Sequence, residues 1–174
     1  MKKYSLLFLL IGTAVMIVVM TKTGATLKTT ATPRGILDLE FASNTSKVAV
    51  VTTAWAGDNI AAAKTNTYLD FIFLIFYSLF LFFSCKKIAR LSAGWFSKAG
   101  MLLATGALIA GFLDVLENAG MLYTLSGNYC SGTVALLTTT CSLIKWALAL
   151  LAAAYCLAGL IYLISQKKLR SLLA

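Results

Sequence analysis

Three polar residues interrupt an otherwise apolar stretch: Asp114, Glu117 and Asn118, in the run Asp114-Val115-Leu116-Glu117-Asn118. At about 100° per residue, Glu117 falls about 60° to one side of Asp114 and Asn118 about 40° to the other, so all three share one helix face. Charged side chains are costly in hydrocarbon and therefore turn to a protein interior, an aqueous cavity or the headgroup boundary. Ala107 and Gly111 continue the same face with small residues, which lets another helix approach closely.

Other segments carry matching chemistry. Asp70 stands near the start of a second apolar run, with Leu74 and Tyr77 following on its face, and Lys145 opens another above Ala149, Ala152 and Cys156. Upstream, Arg34 and Asp38 make an i,i+4 pair, and Glu40 lies one turn beyond the apolar Ile36. Asp38 and Glu40 do not share a helical face, so only one need turn inward, and Glu40 is preferred. The predicted constellation is Asp70, Tyr77, Asp114, Glu117, Asn118 and Lys145, with Arg34, Asp38 and Glu40 over its mouth.

Such a group supports more than one chemistry. As a binding or transport site it accepts a cationic or amphiphilic small molecule or lipid, whose positive group meets Asp114 and Glu117 while its apolar body lies along Leu74, Tyr77 and the alanines. Glu117 lies about 4.5 Å further along the helix than Asp114, which predicts that it meets the ligand while Asp114 serves packing. As an enzyme site for a lipid-linked substrate, the carboxylates supply an acid and a base or hold a divalent cation through oxygen ligands. In the structural alternative, Lys145 pairs with an acid as helix-to-helix glue, and the small-residue faces bind a second copy or another membrane protein of which the chain is an accessory subunit.

Several classes are excluded. The 174-residue chain has no histidine, which removes a histidine-ligated haem, a histidine-containing zinc site and a Ser-His-Asp triad. No phosphate-cradling glycine loop or dinucleotide fingerprint is present, and no cofactor or metal is assigned. Cys130 and Cys141 fall in one loop and form a disulfide if that compartment is oxidising, whereas Cys85 and Cys156 read as packing residues.

The elements that must position these residues are membrane helices. Composition is 60% hydrophobic and only 12% charged, and the apolar residues are gathered into runs of bilayer length. The spans are predicted at 5–21, 68–85, 100–125 and 142–164, an all-α polytopic membrane protein built as a compact four-helix bundle in a single domain. The first resembles a signal peptide in its Lys2-Lys3 start, but no small-residue cleavage site follows, so it is read as retained.

Basic residues cluster at 2–3, 86–98 and 167–170, which an even-numbered bundle puts on one side. The positive-inside tendency makes that side cytoplasmic, with both termini there, and a bacterial inner membrane is the expected location. The net charge of +9 then reflects topology and attraction to anionic membrane lipids, not nucleic acid. Between the first two spans, residues 22–67 are expected to form one or two short interfacial helices or a re-entrant pair, with Thr32-Pro33 as helix start and Trp55 as an interface anchor. Asn44-Thr45-Ser46 fits the glycosylation pattern and is read as chance.

Overall fold

The computed structural model describes residues 5–128 and 131–165, and these are entirely helix, turn and loop. Four long helices are apolar enough to cross a membrane: α1 (Ser5–Thr23), α4 (Asp58–Leu91), α5 (Gly94–Leu125) and α6 (Gly132–Ser165). Two short helices, α2 (Ile36–Glu40) and α3 (Thr45–Ala54), lie between α1 and α4.

Polar residues inside α1 do not break it, because Thr13, Thr21 and Thr23 return their hydroxyls to the carbonyls of Leu9, Ile17 and Val19. Asn66 of α4 then satisfies the far end of α1, donating at 2.9 Å to the Met20 carbonyl and at 2.7 Å to the Thr23 hydroxyl. Helix α1 packs mainly along α4, while α4, α5 and α6 pack on one another. The bundle is therefore a three-helix unit with α1 laid against one flank.

Close approach follows from small residues. A Cβ on Gly159 would strike Ile88, one on Gly100 would strike the Tyr155 ring, and one on Gly111 would meet Ser78. These contacts draw α4, α5 and α6 together around Tyr77, Leu81, Cys85, Ala104, Ala152 and Leu163. A second core joins Leu27, Leu39, Val51 and Trp55 to Met121 and Leu125, and it fastens the 24–57 segment across one end of the bundle as a strap.

The structure departs from the expected boundaries in an instructive direction. Helices α4, α5 and α6 start at 58, 94 and 132, well before the expected 68, 100 and 142. Hydropathy finds the apolar, outward-facing part of a helix, whereas the extra turns of α4 are polar and bury Ala63, Asn66 and Thr67 against the strap and α1.

Pro33 lies in a turn, not in a helix, and α2 begins only at Ile36 after Gly35, whose φ of 64° favours glycine. Thr32 is instead buried, donating to the Leu27 carbonyl and accepting from the Trp55 indole. Trp55 is completely buried, its Nε1 2.9 Å from the Leu27 carbonyl, so it staples the strap and does not anchor an interface. Helix α3 ends at Ala54, and Gly57 at φ 79° turns the chain into α4. Asn44 is the N-cap of α3, accepting from the Lys47 amide at 2.9 Å.

Cys141 sits inside α6 as a buried free thiol, not in the loop; its expected partner Cys130 lies outside the described residues. So do the terminal basic groups at 2–3 and 167–170. Lys86, Lys87, Arg90 and Lys98 gather around the α4–α5 turn, at the opposite end of α4 from Asp58.

Candidate functional site

Four of the chain's six acidic residues meet around one lysine. Lys145 of α6 is 6% exposed and reaches across to α5, its Nζ 2.7 Å from Asp114 Oδ1 and 2.9 Å from Glu117 Oε1. Glu40, the last residue of α2, brings Oε2 to 3.8 Å of the same ammonium. An ammonium has three protons, so the two short contacts are full charge-assisted bonds and the third is a longer electrostatic one.

Each acid is then held differently. Asp114 uses both oxygens, the second accepting from the Tyr77 hydroxyl of α4 at 2.7 Å. Glu117 has no exposed surface; its Oε1 takes Lys145, and Oε2 has no partner among the described residues. Asp70 of α4 accepts from Asn118 Nδ2 at 3.0 Å through Oδ2, and among the described residues Oδ1 has no hydrogen-bond partner. Glu40 accepts from the Trp146 indole at 3.1 Å, and its backbone carbonyl receives the Thr139 and Ser142 hydroxyls of α6. That last set ties the strap to the bundle by both main chain and side chain.

The only other ion pair among the described residues is Arg34 with Asp38, at 2.7 Å, and the Arg34 side chain is 59% exposed. It belongs to the strap and not to the cluster. The competing choices at residues 38 and 40 are thus both used, Asp38 for a local pair and Glu40 for the inward contact.

Beside the cluster lies a cavity of about 520 Å³, within the usual range for a pocket that holds one small ligand. Asp70, Tyr77, Asp114, Asn118 and Lys145 form part of its wall, with Glu40 and Arg34 contributed by the strap. Glu117, expected from helix position to be the residue nearer an entering ligand, does not line it; Asp114 does, and Glu117 is fully buried with Lys145 on its Oε1. Away from the carboxylates the wall is apolar, running down α4 through Phe73, Phe80 and Leu81 and down α6 through Ala149 and Ala153. Ile17 of α1 and Leu150 of α6 line it while remaining exposed, so the cavity reaches the outside through the gap between these helices.

Four buried carboxyl groups against one buried ammonium is an electrostatic imbalance that Lys28, on the exposed rim of the same cavity, offsets only in part. Burying an uncompensated carboxylate costs several kcal/mol, so further positive charge must come from protons, from a bound cation or from the rim side chain Lys28. Among the described residues no group of three or more acidic or cysteine side chains is arranged to hold a metal ion. The Lys145 ammonium occupies the centre that a divalent ion bridging Asp114, Glu117 and Glu40 would need.

Asn66, Trp146, Thr139 and Ser142 are parts of this site that pattern reading missed. Asn66 was open to detection, since it precedes Asp70 by one turn and Tyr77 by three, on one face of α4. Thr139 and Ser142 carried no signal, because hydroxyls in apolar helices usually bond their own backbone, as Ser142 also does with the Thr138 carbonyl. The chain matches no family model, and no curated protein or solved structure matches it.

Proposed function

We propose that this chain is a multi-pass membrane protein that binds, and by exchange transports, an amphiphile with a positively charged head. The observation that carries the reading is the pairing of one cavity with two kinds of wall: buried carboxylates that outnumber the one buried base, Lys145, at one end, and an apolar channel leading away from them. Polar groups that fix orientation within a mostly apolar pocket are the usual makeup of a small-molecule site. Asp70 is the acid best suited to the ligand, because Lys145 is committed to Asp114 and Glu117 while one oxygen of Asp70 has no hydrogen-bond partner among the described residues.

In this reading α1, α4, α5 and α6 span the bilayer. The Lys86, Lys87, Arg90 and Lys98 group faces the cytoplasm, following the positive-inside tendency, and the strap with α2 and α3 caps the opposite face. Single cysteines introduced at Lys98 and Lys47, labelled with an impermeant maleimide on intact cells, test this arrangement. Lys47 is expected to label and Lys98 to stay protected; the reverse pattern would invert the bundle.

The binding assignment is tested with radiolabelled dodecylamine on the protein in nanodiscs of phosphatidylcholine. Saturable binding is expected for the wild type. Asp70→Asn is expected to weaken it at least about tenfold, the equivalent of about 1.4 kcal/mol, with little change in melting temperature. Absence of saturable binding to the wild type would reject the assignment.

A further inference from the structure

The unsatisfied atoms at the polar end of the cavity are all of one kind. Asn66 Oδ1 and Asn118 Oδ1 are buried acceptors without partners among the described residues, on side chains that line the cavity, and Glu117 Oε2 is a third such acceptor, on a residue that does not line it. Asp70 is 8% exposed and, among the described residues, has one oxygen bonded and one unbonded. Asn66 and Asp70 stand one turn apart on α4, and Asn118 is bonded to Asp70 from α5, so these acceptors form a connected patch. Most donors beside them are already engaged, namely the Tyr77 hydroxyl, the Trp146 indole, the Asn66 amide nitrogen and two protons of the Lys145 ammonium, while the second N–H of Asn118 and the exposed Lys28 and Arg34 heads, which also line the cavity, make no bond to these acceptors among the described residues.

A patch with orphaned acceptors selects among cations. A quaternary ammonium satisfies charge but offers no N–H, so each orphaned carbonyl oxygen would stay unpaired, and an unmade buried hydrogen bond is expensive. A primary ammonium brings three donors. The bundle already holds one such group, since the Lys145 Nζ sits on Asp114 and Glu117 at 2.7 and 2.9 Å.

The rest of the cavity limits what the ammonium is attached to. Below Asp70 the apolar wall continues to Leu81 on α4, roughly 16 Å of helix, with no acidic or basic residue between them. Its volume of about 520 Å³ suits a single chain and not a pair of acyl chains. The gap between α1 and α6 opens sideways, where those helices have at most sparse contact and exposed Ile17 and Leu150 line the cavity, so the chain is admitted along its length. Resting on the proposed amphiphile site, we infer that its ligand is a single-chain primary amine, with the ammonium on Asp70, Asn66 and Asn118 and the alkyl chain between α1 and α6.

Competition against radiolabelled dodecylamine in phosphatidylcholine nanodiscs tests this with the wild-type chain alone. Unlabelled dodecylamine is expected to compete at least about tenfold better than dodecyltrimethylammonium, and dodecanol not at all. Equal competition by the trimethylated compound would overturn the selectivity for N–H donors while leaving a cationic amphiphile site intact. Displacement by phosphatidylethanolamine as effective as by dodecylamine would overturn the single-chain limit. Failure of both cations to bind would reject the underlying function instead. In Asp70→Asn, with melting temperature recorded in parallel, both cations are expected to weaken together; unchanged affinity would move the ammonium away from this patch.

Discussion

The two halves of the bundle solve the same problem, holding α4, α5 and α6 together, by different means. Toward the Lys86 end the helices close on small residues: Gly159 against Ile88, Gly100 against Tyr155, and Cys85 against the Ala152 carbonyl and the Cys156 thiol. Toward the strap the same helices are joined by Lys145, Asp114, Glu117, Asp70, Asn118 and Tyr77, with a cavity beside them. Small residues close helices in this half too, Gly111 against Ser78 and Gly120 against Thr138, so the difference lies in the added ionic layer and the cavity beside it.

Removing the cation at the centre should break the polar half most severely. Lys145→Met leaves Asp114 and Glu117 buried without their shared partner, and loss of one member of a buried ionic group costs about 3–5 kcal/mol. A large fall in melting temperature in detergent is expected. Glu117→Gln should also lose stability, though less, because it weakens a bond made behind the cavity wall; a stable Glu117→Gln protein with impaired dodecylamine binding would restore the ligand-facing role that its helix position suggests. If Lys145→Met melts like the wild type, the ionic cluster does not hold the strap end together.

The packed half should answer to volume and not to charge. Gly159→Leu puts a side chain where Ile88 already sits, and overpacking of this kind costs about 1–3 kcal/mol. The expected result is a lower melting temperature with α4 and α6 pushed apart at the Lys86 end. Retention of wild-type stability would mean that this close approach does not hold that end together.

The smallest effect belongs to the strap's exposed pair. Arg34→Ala removes an i,i+4 salt bridge whose arginine is largely in solvent, and such pairs contribute about 0–1 kcal/mol. Melting temperature should barely move, and any loss should shrink further in high salt. A change as large as that of Lys145→Met would mean that Arg34 is part of the cluster and not a neighbour of it.

Much of this was open to a reading of the chain alone. Four apolar runs of bilayer length specify four long helices, because in hydrocarbon every backbone donor and acceptor must be satisfied within its own segment. Asp70, Asp114, Glu117 and Lys145 stand out for a related reason: a charge within an apolar helix needs a partner, and the helical repeat says which face it occupies. Helix starts were less visible, since the first turns of α4 are polar and are buried by the strap, a contact that hydropathy does not record.

Only the tertiary structure assigned the partners. Local spacing allowed Asp38 or Glu40 to turn inward and set Glu117 ahead of Asp114 as the residue a ligand meets. The choice was made by contacts more than a hundred residues apart, Ser142 and Trp146 on Glu40, and by Lys145 crossing from α6 to bond Glu117. Periodicity tells which residues share a face of one helix. Which faces meet, and at what depth, depends on glycines and alanines whose small volume lets particular helices close, and on the gap left where α1 follows mainly α4.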